Sequence, residues 1–125
     1  MTPLLFLGLS LAGGVGSALR LIVDGSIKAH TRATFPIGTM LINITGALLL
    51  GFITEIALRD IVPDAARLII GTGLLGGYTT FSTASFESVR LIQQHRYLPA
   101  LANTLGMLTA AIAAALAGAA LGSLL

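Results

Sequence analysis

The chain has 125 residues, of which 55% are hydrophobic and only 10% are charged, and its net charge is +2. This composition is typical of a small membrane protein, and we expect residues 1–125 to form a single domain. The absence of cysteine excludes disulfides and thiolate metal sites, and the weak, scattered charge argues against a nucleic-acid partner.

Hydropathy divides the chain into four apolar segments, which are approximately residues 4–23, 37–58, 65–92 and 98–125. Each is long enough to cross a hydrocarbon core as a helix, which takes about 20 residues. A proline stands at the start of each segment, where its missing N–H costs a helix nothing: Pro3, Pro36, Pro63 and Pro99. The sequence therefore predicts an all-α membrane protein with four transmembrane helices.

The first two predicted spans each contain one polar residue of interest. Arg20 ends the first span, where it either snorkels to the headgroups or attracts an anion to a pore entrance. Asn43 lies near the middle of the second span, with Thr39 one turn earlier on the same face. Asn43 and Thr39 are candidates for lining a pore, although an Asn at this depth can also bond between helices.

The third predicted span is interrupted by residues 76–83, which read Gly-Gly-Tyr-Thr-Thr-Phe-Ser-Thr. Adjacent glycines and β-branched residues are poor material for a continuous helix, so we expect a break between Gly76 and Thr80. In lipid, such a break is tolerated only where the freed backbone groups face protein, water or a ligand. The sequence therefore predicts carbonyls and hydroxyls at membrane depth that can bind an ion.

Polar residues continue along the second half of this span. Ser82 and Ser85 share one helix face, and Thr83 and Glu87 approximately share another. An acid this far into an apolar segment usually faces a cavity or a partner. Phe81 either packs or offers the positive edge of its ring to an anion.

The fourth predicted span is rich in alanine and glycine over residues 110–122, which favours close helix packing. Its only polar candidates are Asn103, Thr104 and Thr109. The chain contains no nucleophile–base–acid arrangement and no phosphate-binding loop, so we expect that it is not an enzyme.

Three motifs, in chain order, resemble those of the Fluc (CrcB) family of fluoride channels. They are Gly-Gly-Val-Gly-Ser-x-x-Arg at residues 13–20, Gly-Thr-x-x-x-Asn-x-x-Gly at residues 38–46, and Gly-x-x-Gly-Gly-x-Thr-Thr-Phe-Ser-Thr at residues 73–83. The length of the chain and the number of spans also match this family.

The resemblance implies an antiparallel dimer with two narrow pores through which cytoplasmic fluoride escapes across the cell inner membrane. It implies a central structural Na⁺ bound by backbone carbonyls at the helix break, here those of Gly76 and Thr79. It also implies that Asn43 donates to fluoride and that Phe81 offers its ring edge. Ser82, Thr83 and Glu87 would lie along the polar path, and Arg20 near a pore mouth.

The sequence departs from the family at Ala84, where the family usually has a second phenylalanine. Phe86 does not replace it, because five residues place it about 140° around a helix from Phe81, whereas position 84 is about 60° away. A non-conducting or regulatory subunit therefore remains an alternative.

A small multidrug-type antiporter is a further alternative, although it would need a membrane-embedded acid in the first span, which holds none before Asp24.

Basic residues are distributed unevenly between the two sides of the predicted bundle. The connections after the first and third spans, with the adjacent membrane edge, carry Arg20, Lys28, Arg32, Arg90 and Arg96, whereas the opposite side carries Arg59 and Arg67. The positive-inside rule then places both termini outside. Because an antiparallel homodimer needs both orientations, this bias favours pairing with an oppositely inserted relative over pairing of the chain with itself.

Overall fold

The computed structural model describes residues 2–31 and 35–125, and its described residues are almost entirely helical. Five helices follow one another: α1 is Pro3–His30, α2 is Ile37–Leu58, α3 covers residues 64–78, α4 is Phe81–Gln93 and α5 is Tyr97–Ser123. The hydrogen bonding is π-helical over Arg67–Leu75 in α3 and over Ala102–Gly106 in α5. The all-α prediction is confirmed.

The prolines mark the helix starts as predicted. Pro3 is the first residue of α1, Pro36 and Pro63 directly precede α2 and α3, and Pro99 is the third residue of α5.

The predicted end of the first span near residue 23 was wrong, because α1 continues to His30. Gly25 does not interrupt α1, and Lys28 forms an ion pair of 2.8 Å with Asp24 one turn earlier. Lys28 therefore belongs to the helix rather than to the connection.

Glycines bring α2 and α5 together as a parallel pair. A Cβ at Gly51 would overlap with the carbonyl oxygen of Ala115, and a Cβ at Gly118 would overlap with that of Leu48. At the end of this pair, Arg59 Nη1 donates to the Gly122 carbonyl at 2.9 Å. The alanine-and-glycine run of the fourth span therefore packs one backbone directly against another, as predicted.

A second parallel pair is formed by α1 and α3. A Cβ at Gly16 would overlap with the Leu74 carbonyl oxygen, and a Cβ at Gly77 would overlap with that of Gly13. Ser17 Oγ also donates to the Gly77 carbonyl at 3.4 Å. Gly16 of the first motif is thus explained by the close approach of α3, whereas a Cβ at Gly14 would meet no atom within 4 Å.

Among the described residues, three helices are long and apolar enough to cross a membrane: α1, α2 and α5. The predicted third span is divided between α3 and α4, and each of these is shorter than the about 20 residues that a crossing needs. A fourth crossing made by α3 and α4 together stays a prediction.

Candidate functional site at the helix break

The break between α3 and α4 consists of two residues with extended backbones. Thr79 has φ −78° and ψ 159°, and Thr80 has φ −150° and ψ 122°. The break lies within the predicted range, but it does not include the two glycines. Gly76 has the right-handed helical values φ −63° and ψ −38°, so α3 continues through both glycines to Tyr78.

Asn43 of α2 binds this break through both ends of its amide. The Thr80 N–H donates to Asn43 Oδ1 at 2.8 Å, and Asn43 Nδ2 donates back to the Thr80 carbonyl at 2.9 Å. Nδ2 also lies 3.1 Å from the sulfur of Met107 on α5. Asn43 therefore bonds between helices, and its remaining N–H points to a thioether, which is only a weak acceptor.

Gly46 lies one turn after Asn43 and allows the break to approach α2. A Cβ at this position would overlap with the Thr79 methyl group and would press on the Tyr78 ring. The spacing Asn-x-x-Gly in the second motif thus combines a residue that binds the break with a residue that makes room for it.

Thr80 caps the start of α4. Its side-chain oxygen accepts the Thr83 N–H at 3.2 Å, which is the usual role of a threonine at a helix N-cap. The Thr80 hydroxyl in turn donates to Thr83 Oγ1 at 3.1 Å. Sequence reasoning placed Thr80 in the break but gave it no function, although a threonine directly before a helix is a recognisable capping signal.

The break lines a cavity of about 390 Å³, here named the break cavity. Four of the predicted ion-site residues line it, namely Asn43, Gly76, Thr79 and Phe81. Ala84, the position of the missing phenylalanine, lines it as well. The Phe81 side chain is 87% exposed at the start of α4 and is therefore not a core residue.

A second cavity of about 510 Å³, here named the charged cavity, lies where the end of α1, the start of α2 and α4 meet. It brings together the predicted residues Thr39, Thr83 and Glu87. Thr39 is buried, and its hydroxyl donates to Glu87 Oε1. Charged side chains complete the lining: Asp24, Lys28, Arg90 and Arg96.

The two cavities are joined by hydroxyl groups. Thr80 lines the break cavity and Thr83 lines the charged cavity, and the hydroxyls of these two residues are hydrogen-bonded. Ser82 and Arg20 line neither cavity in the part of the chain that the structure describes. Ser82 is exposed beside the Thr80 hydroxyl at 3.4 Å, and the Nε atom of Arg20 is buried.

A polar cluster that the sequence did not reveal attaches α4 to α5. Asn103 is 1% exposed, and its Nδ2 donates to Ser88 Oγ at 2.8 Å and to the Ala84 carbonyl at 3.3 Å. Ser88 and Thr104 are hydrogen-bonded at 3.0 Å. Two of the three polar candidates of the fourth span therefore hold α4 in place, whereas Thr109 is exposed.

Comparison with known proteins gives consistent results over most of the chain. Residues 7–119 match the family described as CrcB-like protein, Camphor Resistance (CrcB). The chain is 48% identical over 124 residues to the fluoride-specific ion channel FluC 1 of Leifsonia xyli, and the match covers 99% of this chain and 90% of that protein. It is 45% identical over 118 residues to FluC 2 of Mycobacterium tuberculosis, covering 94% and 90%. It is 42% identical over 98 residues to FluC of Aquifex aeolicus, covering 78% and 79%.

Proposed function

The chain belongs to the CrcB family, and from this premise we propose that it is a subunit of a fluoride-selective ion channel. The channel gives passive export of cytoplasmic fluoride across the cell inner (plasma) membrane, in which the chain is a multi-pass protein, and so confers fluoride resistance. It is not an enzyme, because the transported ion is not chemically changed.

One observation supports this function more than any other. The second N–H of Asn43 lies in the apolar bundle and has only the Met107 sulfur as an acceptor, at 3.1 Å. Fluoride is small and strongly hydrated, so a pore must replace its water with close donors. A fluoride ion in the break cavity would be a far better acceptor for this N–H than a thioether.

The surrounding residues extend the path on both sides of Asn43. The Phe81 ring stands at the start of α4, where its positive edge can face an anion. The hydroxyls of Thr80 and Thr83 connect the break cavity with Thr39 and Glu87 in the charged cavity. Ser82 would then lie along the polar path beside the Thr80 hydroxyl, and Arg20 near a pore mouth. Efflux of fluoride and of chloride from liposomes that contain the purified chain tests this function.

Antiporter chemistry is not favoured by the acids of α1. The only acid in this helix is Asp24, whose carboxylate forms an ion pair with Lys28 near the helix end. A carrier that exchanges protons for cations needs a carboxylate that is free to lose its partner at membrane depth.

We also propose a structural Na⁺ at the dimer interface, bound by the carbonyl oxygens of Gly76 and Thr79. Hard cations prefer oxygen ligands, and both carbonyls lie at the break, beyond the reach of regular helix hydrogen bonds. Among the described residues, no group of three or more His, Cys, Asp or Glu could hold a metal ion. Two subunits related by a two-fold axis would supply four such oxygens.

An antiparallel dimer is the assembly that completes this site. Phe81 is 87% exposed and Gly76 is exposed, although both line the break cavity. A large exposed apolar residue beside a cavity is typical of an interface. The partner is either a second copy of this chain or an oppositely oriented paralogue.

We expect the chain to insert mainly in one orientation, with both termini outside, because of its uneven distribution of basic residues. This expectation is supported by the charged cavity, which is lined both by Thr31 and Phe35 after α1 and by Gln94 and Arg96 after α4. Arg32, one of the counted basic residues, lies outside the described residues.

Reporters fused to the C-terminus measure the orientation. Mixed insertion together with full fluoride efflux from the lone chain would contradict pairing with a paralogue.

A further inference from the structure

The two carbonyls proposed to bind the cation are the two whose helical partners are taken by side chains. In a continuous α-helix, the Gly76 carbonyl accepts the N–H of Thr80 and the Thr79 carbonyl accepts the N–H of Thr83. Here the Thr80 N–H donates to Asn43 Oδ1 at 2.8 Å. The Thr83 N–H donates to Thr80 Oγ1 at 3.2 Å.

We infer that Asn43 and Thr80 are positioning residues whose side chains capture these two N–H groups and so leave the Gly76 and Thr79 carbonyls for the cation. The inference rests on the proposed Na⁺ site and explains how the chain holds that site open. It gives Asn43 a second role besides donation to fluoride, and it gives Thr80 a role beyond capping α4.

Asn43 is suited to this role because it fixes both sides of one residue. Its amide accepts from the Thr80 N–H and donates to the Thr80 carbonyl at 2.9 Å, so Thr80 cannot rotate into a helical conformation without losing both bonds. Lost hydrogen bonds are costly inside a bilayer because water cannot replace them. Without Asn43, the Thr80 N–H would return to the Gly76 carbonyl and compete with the cation.

The Thr80 side chain leaves the Thr79 carbonyl free in the same way, although Thr80 belongs to the break itself and not to a neighbouring helix. Its hydroxyl holds the Thr83 N–H at the first turn of α4. Without the hydroxyl, this N–H is free to turn towards the Thr79 carbonyl. The two side chains therefore control one oxygen each, which makes their effects separable.

The test measures the thermal unfolding midpoint of the purified protein as Na⁺ replaces N-methylglucamine at constant ionic strength. A bound cation stabilises the folded state, and we expect a rise of about 2–8 °C for the unsubstituted chain. In Asn43→Leu and in Thr80→Val, we expect the rise to vanish or to require about tenfold more Na⁺. Matched controls are Gln93→Leu and Thr109→Val, which remove an amide and a hydroxyl at exposed positions outside the break cavity and should keep the rise.

Conservative variants keep the inference testable if the apolar variants do not fold. Thr80→Ser retains the capping hydroxyl, and Asn43→Asp retains an oxygen that can accept the Thr80 N–H, so both should retain a Na⁺-dependent rise. Loss of the rise in Thr80→Ser, or an unchanged rise in folded Asn43→Leu and Thr80→Val, would overturn the inference.

Failure of this inference can be distinguished from failure of the proposed function. If the unsubstituted chain conducts fluoride but shows no Na⁺-dependent stabilisation, the positioning role is refuted and the channel function stands. If the chain is stabilised by Na⁺ and the apolar variants lose this stabilisation, but the chain passes no fluoride, the channel function is refuted and the role of Asn43 and Thr80 stands.

Discussion

Replacing Asn43 with aspartate is expected to reduce fluoride efflux from liposomes by about 100-fold or more. The substitution puts a negative charge in the break cavity and removes the N–H that faces the Met107 sulfur. Two like charges about 4 Å apart repel by about 4 kcal/mol at an effective dielectric constant of about 20, and each 1.36 kcal/mol added to the barrier for an anion slows its passage about tenfold. The measurement is fluoride release from loaded liposomes, followed with a fluoride electrode.

The matched control for this variant is Gln93→Glu, which makes the same change from amide to carboxylate at an exposed position near the end of α4. It should conduct within about twofold of the unsubstituted chain, because water screens an exposed charge. Comparable fluoride efflux through Asn43→Asp and Gln93→Glu would contradict a pore contact at Asn43.

Replacing Gly118 with alanine is expected to lower the stability of the folded protein by about 1–3 kcal/mol, the usual cost of overpacking. The added Cβ would overlap with the Leu48 carbonyl oxygen at the closest approach of α2 and α5. Backbone cannot move aside as a flexible side chain can, so the two helices must separate. The thermal unfolding midpoint in detergent measures the loss.

Gly106→Ala on the same helix is the control, because a Cβ there meets no atom within 4 Å. Alanine is favoured over glycine inside helices by about 0.8–1.0 kcal/mol, so this variant should be as stable as the original chain or more stable. Equal midpoints for Gly118→Ala and Gly106→Ala would show that the α2–α5 contact is not as close as described.

Local signals predicted the helices well. Each of the four prolines lies within three residues of a helix start, because its fixed φ and missing N–H suit only the first turn. The end of α1 was missed because no glycine or proline marks it, and an ion pair between Asp24 and Lys28 extends the helix beyond the apolar segment. Hydropathy indicates which residues prefer lipid, whereas a helix continues as long as its backbone hydrogen bonds are made.

The helix break was predicted from the right segment, but for a partly wrong reason. The prediction rested partly on the two glycines as helix breakers. Gly77 instead keeps a helical backbone and allows α3 to approach Gly13 closely. The break lies at Thr79 and Thr80, where the Asn43 side chain of another helix replaces a backbone bond. No local propensity encodes such a partner 37 residues away.

The alternatives left open for Asn43, bonding between helices or lining a pore, are not exclusive. Its amide binds the Thr80 backbone, and its remaining N–H lies at the break cavity. Ala84 lines the break cavity, and its backbone carbonyl, which any residue at this position would supply, accepts from Asn103.

The central claim, fluoride-selective passive conduction, is tested most directly by anion efflux from liposomes that contain the purified chain and a potassium ionophore. One set is loaded with potassium fluoride and the other with potassium chloride, and release is followed with ion-selective electrodes after the external anion is diluted. We expect fluoride to leave only when the ionophore balances its charge, and chloride to stay inside. Equal release of the two anions, or fluoride release that needs a proton gradient instead of the ionophore, would contradict the account.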